Sequence, residues 1–424
     1  MTMLRRDLLR ALAAGVATSA ALPACRRARR VDGRTVVTLW FAYGGKNREV
    51  LLDLVRRFNG SQSRVTVDAT YQGDYFEALA KLRTAIAAGA APTFSHVVGE
   101  VVPYLARANV LEPLDAYDGA RTLPLVRALA QSGSYVSGDE RPLVAIPFNR
   151  STPIMYLNGD VVLRELGGKI PQTWTELEGA AMQLTRRDGE VRWGFEVPIS
   201  WWFWVAMVGQ AGGRVVADDG TPTLGGAAGE KALRFWQKLV HEDRVMRPPP
   251  GRDYNAWQAT NQDFLAGRAA IVWTSTAFLR YLEENARFPV VAAPLPGDVK
   301  RSVPTGGTFF VVMRAAPPEE KQGAWEFLRW MCDAEQTIDW ATRTGYLPVS
   351  EPAIAKLDTN GWYAAHPNDR VAYAQLADAD PWPWAPTLFR IQRDVIEPKL
   401  EDAILRNRDA HVVLDEARAE AMAR

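Results

Sequence analysis

The hydrophobic pattern at the start of the chain alternates between short β-rich runs and amphipathic helical runs. Val36–Phe41 and Val65–Tyr71 are rich in β-branched and aromatic residues and are predicted to be strands. A helix is predicted over Tyr75–Ala88, and another over Arg48–Phe58, where one face carries apolar residues: Val50, Leu51, Leu54, Val55 and Phe58. Strands that alternate with helices are typical of a parallel α/β sheet.

Near the middle of the chain, a polar cluster lies between two apolar extended runs. Leu143–Ile146 is predicted to end one buried strand and Ile154–Leu157 to begin another. Pro147 and Pro153 each fix φ and favour extended backbone in the residue before them. The pattern therefore indicates a stiff crossover between two domains, although an ordinary solvated loop would have the same composition. The polar residues on it are Asn149, Arg150, Ser151 and Thr152.

The second half of the chain is predicted to be richer in helices. Thr173 and Glu176 have the spacing of a capping box, which predicts a helix start. Small and hydroxyl residues adjoin predicted strands at Thr274–Thr276 and Thr305–Thr308, and Glu319–Arg424 is mostly helical in pattern. We find no internal repeat and no low-complexity linker, so the two lobes are predicted to be interleaved along the chain.

The first residues have the pattern of an export signal. They resemble a twin-arginine signal joined to a bacterial lipoprotein cleavage box, Leu22-Pro23-Ala24-Cys25, and the apolar run is too short to span a bilayer. We predict that residues 1–24 are removed, that Cys25 carries lipid, and that residues 25–34 form a tether outside the cytoplasm. The basic residues of the tether would then lie beside the anionic membrane surface.

Composition argues against several functional classes. The 50 Lys and Arg balance 49 Asp and Glu without a long single-sign run, so a nucleic-acid partner is not predicted. The four histidines lack metal-ligand spacing, and Gly44-Gly45-Lys46 lacks the remainder of a phosphate-loop motif. No Gly-x-Ser-x-Gly motif is present. The sequence therefore predicts no metal, no cofactor and no catalysis.

Cysteine and aromatic residues add two further expectations. With Cys25 lipidated, Cys332 has no partner for a disulfide, and its helical surroundings predict a small buried apolar residue. The 15 tryptophans are concentrated partly in segments 200–204 and 381–384. Such rings would either stack on a ligand in a cleft or fill a core between the lobes, and both interpretations stay open.

Several segments together resemble the extracytoplasmic solute-binding proteins of ABC importers. The general resemblance rests on Pro171–Leu177, Gly213–Gly220, Phe264–Ile271 and Thr344–Val349, and it covers nearly the whole mature chain. A closer resemblance is to the subgroup that binds glycerol 3-phosphate and glycerophosphodiesters. It rests on four pieces of this sequence, namely Tyr71–Tyr75, Pro147–Tyr156, Gly306-Gly307 and Tyr346.

The resemblance implies a two-lobed α/β fold of the type II periplasmic-binding-protein kind, in which each lobe is a mixed sheet flanked by helices and the ligand lies in the cleft between the lobes. We expect lobe 1 to contain residues 35–148 and about 277–318. Lobe 2 would contain residues 149–276 and about 319–424, with hinges near 149–152 and 274–278.

The resemblance also implies which residues bind the ligand. Tyr75 and an acidic residue would hold glycerol hydroxyls, Trp202 lies where the family has a cleft tryptophan, and Tyr43 would line the wall of lobe 1. Hydroxyls, amides and a guanidinium stabilise a phosphate. The residues implied for that role are Ser151, Ser275, the Gly307 amide, Tyr346 and Arg393, with Arg390 as the competitor of Arg393.

One position departs from the family pattern. The expected acidic residue aligns with Gly99, and the nearest carboxylate, Glu100, comes one residue later, which on a strand would reverse the direction of the side chain. The expected ligand is glycerol 3-phosphate or a glycerophosphodiester such as glycerophosphocholine, and the extra tryptophans point, as this departure does, towards a larger or differently headed ligand. In this comparison Ser151 is favoured as the ligand contact, and Arg150 is expected to face solvent or a neighbouring carboxylate.

These observations predict a lipid-anchored, monomeric receptor that delivers a small polar ligand to the transmembrane subunits of an ABC permease. The alternative within the same fold is an oligosaccharide receptor, in which tryptophans stack on sugar rings. An exported hydrolase is the alternative from another class, and the lack of a nucleophile or metal motif argues against it.

Overall fold

The computed structural model describes residues 27–131, 142–217, 220–249, 251, 254–380 and 382–423. None of the helices in these ranges combines the length and apolar character needed to cross a membrane. In chain order, the strands of these ranges are β1 Arg30–Val31, β2 Arg34–Phe41, β3 Val65–Tyr71, β4 Phe94–Val98, β5 Ile146–Ser151, β6 Pro153–Asn158, β7 Trp193–Glu196, β8 Ala269–Ser275, β9 Val290–Ala293, β10 Val303–Pro304, β11 Gly306–Val312 and β12 Ala379–Asp380.

Helices cover both sheets. The α-helices are Gly45–Ser61, Tyr75–Ala87, Val102–Arg107, Arg127–Ala130, Gly159–Leu166, Trp174–Leu184, Trp201–Gln210, Ala227–Gln237, Tyr254–Leu265, Leu279–Asn285, Pro318–Met331, Ala334–Thr344, Glu351–Thr359, Trp362–Ala365, Pro367–Ala374, Leu388–Arg390, Glu397–Arg406 and Ala410–Met422. Short 3₁₀ turns lie at Gly99–Val101, Ala120–Thr122, Thr276–Phe278 and Gln375–Asp378, and π-helical turns at Lys238–Glu242 and Ile391–Ile396.

Two mixed sheets form the centres of two lobes. In the first sheet, β2 pairs in parallel with β3 and β4, while β11 runs antiparallel between β4 and β5. In the second sheet, β6 runs antiparallel to β8 and β9, and β7 pairs in parallel with β8. Each sheet is buried on both faces under its helices. The two-lobed α/β fold expected from the sequence is therefore confirmed.

The local predictions hold where a pattern has a direct physical cause. The apolar face predicted for Arg48–Phe58 is buried within the helix Gly45–Ser61. Thr173 and Glu176 form both bonds of the capping box at the start of Trp174–Leu184. Cys332 is buried, and burial raises the pKa of its thiol to about 12, so it behaves as an apolar residue.

The division of the chain between lobes differs from the expected boundaries. Strand β9 lies within the segment assigned to lobe 1, yet it pairs with β6 of the second sheet. The helices Pro318–Met331 and Ala334–Thr344, assigned to lobe 2, pack against β2 and the helix Gly45–Ser61 of the first. An amphipathic pattern shows that a helix has a buried face but not which sheet covers it, and this is the reason for the error.

The chain first crosses between lobes at Thr152, the single residue between β5 and β6 and part of the expected hinge at 149–152. It does not cross at 274–278, because the helix Leu279–Asn285 packs against the second sheet through Leu279 and Leu282. The return to lobe 1 lies between β9 and β11, and the last crossing follows Thr344.

Candidate functional site

The site is built around the first crossover, and the backbone there is held by hydrogen bonds with two distant segments of the chain. The Thr152 N–H donates to Thr276 Oγ1 at 3.3 Å, and the Thr276 N–H donates to the Thr152 carbonyl at 3.1 Å. The Leu347 N–H donates to the carbonyl of Arg150 at 2.8 Å. Residues 146–158 are buried almost throughout, so the interpretation of this segment as a solvated loop is wrong.

Polar side chains from distant parts of the chain meet at Asn149. Its Nδ2 donates to the Tyr75 hydroxyl at 3.2 Å, and the Tyr75 and Tyr346 hydroxyls lie 3.4 Å apart. Its Oδ1 accepts from the N–H of Thr308 at 3.1 Å and from the Thr308 hydroxyl. Burial raises the pKa of Tyr75 and Tyr346, so both phenols are protonated donors. The structure therefore brings two of the predicted site residues, Tyr75 and Tyr346, together.

Arg150 is in a place that the sequence argument did not expect. It is 0% exposed, and its guanidinium donates to the carbonyls of Leu129 at 3.2 Å and Gly307 at 2.9 Å and to Thr305 Oγ1 at 2.9 Å. The Phe309 ring lies 4.3 Å from the guanidinium carbon. Burial lowers the pKa of Arg150 to about 10, so it remains charged at neutral pH. Of the two surroundings expected for Arg150, solvent is wrong, because several acceptors converge on it inside the crossover. A neighbouring carboxylate agrees with the structure, since Glu100 interacts electrostatically with Arg150.

Glu100 lies in a 3₁₀ turn after β4 and is 8% exposed. Burial raises the pKa of its carboxyl to about 7, while Arg150 acts in the opposite direction and Glu397 adds to the increase. The turn, rather than a strand, sets the direction of the side chain. A Cβ at Gly99 would lie 3.0 Å from the Phe309 ring and 3.5 Å from Arg150 Nη1, which explains why a side chain is disfavoured there.

The small residues of the site lie on paired strands. Ser151 pairs with Gly306, and a Cβ at Gly306 would lie 2.5 Å from the Trp202 ring. Ser275 lies opposite Pro153, and its hydroxyl accepts from the Ala277 N–H at 3.1 Å. These contacts place three of the predicted residues around the end of the crossover.

Gly307 sits in a β-bulge next to that end. The register between β11 and β5 shifts after it, its φ is +87°, and an added Cβ would lie 1.8 Å from the Asn149 carbonyl oxygen. The bulge therefore requires glycine at this position.

The two candidate arginines of the late helical segment have different surroundings. Arg393 Nη1 pairs with Glu397 at 2.6 Å, and its guanidinium carbon lies 3.7 Å from the centre of the Phe76 ring in lobe 1. Arg390 instead donates from Nη2 to the Ala421 carbonyl at 2.8 Å, at the end of the last helix. Of the two, Arg393 is the one whose guanidinium reaches across to the other lobe.

Two predicted site residues carry buried polar atoms that find no hydrogen-bond partner among the described residues. They are the Tyr43 hydroxyl and the Trp202 Nε1, and each residue is 8% exposed. Buried donors of this kind call for a partner that the protein itself does not supply.

Most of the aromatic rings belong to the core. Trp201, Phe203 and Trp204 are at most 1% exposed, and Trp201 stacks on Trp382 at 5.0 Å. Trp202 is the aromatic residue of segment 200–204 that lies against the crossover. Its ring centre is 5.6 Å from that of Trp257. Core filling therefore accounts for most of the tryptophans in segments 200–204 and 381–384.

Sequence reasoning missed three contributors to this region. Asn149 was visible between the two prolines but was not assigned a role, although within lobe 1 it joins Tyr75 to Thr308 of β11. Phe76 and Glu397 gave no local signal, because their contacts with Arg393 exist only once the lobes meet. Cys25, predicted to carry lipid, lies outside the described residues.

Comparison with known proteins gives a consistent picture. A family model described as bacterial extracellular solute-binding protein matches residues 53–369. The sn-glycerol-3-phosphate-binding periplasmic protein UgpB of Pectobacterium atrosepticum is 23% identical over 413 residues, which cover 90% of this chain and 89% of that protein.

Solved structures show the same fold. UgpB from Mycobacterium tuberculosis in complex with glycerophosphocholine has a TM-score of 0.81 and 24% identity, covering 92% of this chain and 98% of that one. Maltose-bound MalE3 of T. maritima has a TM-score of 0.79 and 21% identity, covering 91% and 99%. At these identities the likeness shows the fold alone.

Replacing Arg150 by Met is expected to lower the free energy of unfolding by about 3–5 kcal/mol, because three buried acceptors lose their donor. Urea denaturation measures the change. Arg56→Met is the matched control, since Arg56 is 70% exposed and contacts only Asp53 among the ion pairs described, and it is expected to cost less than about 1 kcal/mol. Equal effects of the two substitutions would contradict the structural role of Arg150.

Glu100→Gln is expected to flatten the pH dependence of stability. Because the folded carboxyl has a pKa of about 7, above its ordinary value, the folded protein holds this proton more tightly, and stability falls as pH rises from about 4.5 to 7. Between pH 5 and 8 the parent should lose on the order of 2 kcal/mol more than the variant. Urea denaturation at both pH values tests this, and parallel losses would show that Glu100 is not the titrating group.

Proposed function

This chain belongs to the bacterial extracellular solute-binding protein family, and we propose from that premise that it is the receptor of an ABC importer for glycerol 3-phosphate or a glycerophosphodiester such as glycerophosphocholine. The ligand binds between the lobes at the crossover of β5 and β6. The receptor then delivers it to the transmembrane subunits of the permease and performs no chemistry on it.

The observation that carries this proposal is the convergence of polar groups from both lobes on one buried place. The Tyr75 and Tyr346 hydroxyls lie 3.4 Å apart beside Asn149, and Tyr346 packs into the core of lobe 1. The unpartnered Tyr43 hydroxyl and Trp202 Nε1 add donors from the two lobes. A polar ligand held from both sides would satisfy these donors, and it would favour the closed arrangement by its contacts with both lobes.

We assign the phosphate to the residues that the family resemblance implies for it. Ser151, Ser275, the Gly307 amide and Tyr346 supply neutral donors, and Arg393 supplies the positive charge. A guanidinium has five N–H donors, so the bond from Nη1 to Glu397 leaves others for a phosphate. The names of the curated relatives, which bind sn-glycerol 3-phosphate, support the same ligand class.

The lobes touch directly in this structure. Arg393 of lobe 2 covers the ring of Phe76 in lobe 1, and Lys46 of lobe 1 forms an ion pair with Glu284 of lobe 2. Both contacts would break if the lobes separated. They therefore bias the protein towards closure, and ligand binding adds to that bias.

The cellular location that we propose rests on the family of the protein and on the export-signal pattern of its first residues. The family is extracellular, and we propose that lipid on Cys25 holds the protein at the outer face of the cytoplasmic membrane or in the periplasm. Labelling with a radioactive fatty acid in the parent and in Cys25→Ser would test the anchor.

An oligosaccharide is the second candidate ligand. Trp202 contacts Trp257 at 5.6 Å beside the crossover, and such paired rings are suited to stacking on sugars. Several proteins of the same fold were solved with sugars bound, maltose-bound MalE3 among them. The experiment below separates the two classes.

A thermal-shift screen is expected to show stabilisation by glycerol 3-phosphate or glycerophosphocholine. A ligand present at one hundred times its dissociation constant adds roughly 2.7 kcal/mol to the free energy of unfolding. Inorganic phosphate, glycerol and maltotriose serve as comparison compounds. Stabilisation by maltotriose and by neither phosphorylated compound would overturn the phosphate assignment in favour of a sugar receptor.

Arg393→Ala is expected to weaken binding of the phosphorylated ligand by at least a hundredfold, because a charge-assisted hydrogen bond to a buried phosphate is lost. Isothermal titration calorimetry measures the affinity. Arg390→Ala is the comparison variant and is expected to change affinity less than threefold, since Arg390 Nη2 donates to the Ala421 carbonyl in the last helix. Arg390 Nη1 is buried and has no partner among the described residues, so the variant also tests whether this atom binds the ligand. The reverse result would transfer the phosphate to Arg390.

A further inference from the structure

Behind Tyr43 the described residues contain a second group of buried polar atoms without partners. Both ring nitrogens of His96 and the Nε1 of Trp340 have no hydrogen-bond partner among these residues. All three nitrogen atoms are buried. His96 is 3% exposed and Trp340 is 2% exposed. Native interiors leave few buried polar atoms unpaired, so three such side chains in one place require an explanation.

The three side chains form one contiguous cluster. The His96 ring stacks on Tyr43 at 5.3 Å between ring centres, and the Trp340 ring lies 5.8 Å from Tyr43. Phe148, from strand β5, contacts both His96 at 5.3 Å and Trp340 at 4.5 Å. The cluster therefore lies in lobe 1 against the strand that leads into the crossover.

The cluster adjoins the tyrosines of the proposed ligand site. Trp340 stacks on Tyr346 at 5.5 Å, and Tyr43 is close enough to Tyr75 and Tyr346 to interact with both electrostatically. Tyr346 in turn lies 3.4 Å from Tyr75. The unpaired donors and acceptors thus extend the polar surface of the site inward, into lobe 1.

Tyr43, His96 and Trp340 are all uncharged at neutral pH. Burial raises the pKa of the Tyr43 phenol and lowers the pKa of His96 to about 3, so the phenol keeps its proton and the imidazole is neutral. A neutral imidazole offers one donor and one acceptor, and the indole offers a donor. Such a lining pairs well with hydroxyl groups and poorly with a phosphate or an ammonium group, because neither charge would be balanced there.

We propose that Tyr43, His96 and Trp340 form a subsite for the hydroxyl groups of the ligand, that is, for the uncharged polyol end of the molecule. The proposal rests on the proposed function and deepens it, because it orients the ligand: the glycerol part enters lobe 1 and the phosphate faces Arg393. It also explains how the protein can bind the ligand hydroxyls although Gly99 occupies the position where its family has an acidic residue. The hydroxyls are held by a phenol, an imidazole and an indole instead of a carboxylate.

The test compares two ligands that differ only in their hydroxyls, glycerol 3-phosphate and propyl phosphate. The parent protein is expected to bind glycerol 3-phosphate at least tenfold more tightly. His96→Phe and Tyr43→Phe keep the stacked rings but remove the polar atoms, and each is expected to reduce that preference to less than threefold. Calorimetric titration gives the affinities, and affinity for propyl phosphate should be unchanged.

Stability provides an independent readout. His96→Phe removes a buried unpaired group without creating a cavity, so its melting temperature should equal or exceed that of the parent. Tyr363→Phe is the matched control for the tyrosine, because its hydroxyl is also buried and unpartnered among the described residues but lies away from the crossover. It should leave the ligand preference unchanged.

The outcomes separate the two proposals. If His96→Phe is stable and the preference for glycerol 3-phosphate persists, an ordered water occupies the cluster and the subsite is wrong. If the parent binds maltotriose and neither phosphate, the proposed function is wrong, and loss of maltotriose affinity in the same variants would still establish the subsite. Glycerophosphocholine is titrated as well, and binding of none of the four compounds by the parent would overturn both proposals.

Discussion

The buried guanidinium of Arg150 is the constraint on which the site depends. A charge removed from water must be paired or hydrogen-bonded, and Arg150 meets this requirement through Leu129 and, from a second segment, Thr305 and Gly307. Those bonds hold the end of β11 against β5. The bulge at Gly307, the position of Ser151 and the direction of Asn149 follow from that pairing.

The same requirement explains the arrangement of the other charges. Glu100 interacts with Arg150, and Glu397 interacts with Glu100 while it pairs with Arg393. The order of charges from the crossover to the edge of lobe 2 is therefore Arg150, Glu100, Glu397 and Arg393, with the two carboxyl groups between the two guanidinium groups. Neutral hydroxyls and rings occupy the other direction, towards Tyr43 and His96. The polar residues around the crossover thus have a charged end and an uncharged end.

Local patterns predicted much of the fold because their physical causes are local. The apolar face of Arg48–Phe58, the capping box at Thr173 and the α/β alternation each depend on residues a few positions apart. The polar stretch between Pro147 and Pro153 was recognisable as the crossover for the same reason. Tyr75 and Tyr346 were identified through a family resemblance, and their contact lies between residues 271 positions apart.

What the sequence by itself determined is the identity of the elements, the two-lobed class and the segment where the lobes join. Tertiary structure alone decided that Arg150 is buried, that β9 and the two helices between residues 318 and 344 exchange lobes relative to expectation, and that Glu100 interacts with Arg150. The physical reason is the range of the interactions. Periodicity reports which face of an element is buried, whereas the partner that buries it and the charges that meet there are selected only when distant segments pack together.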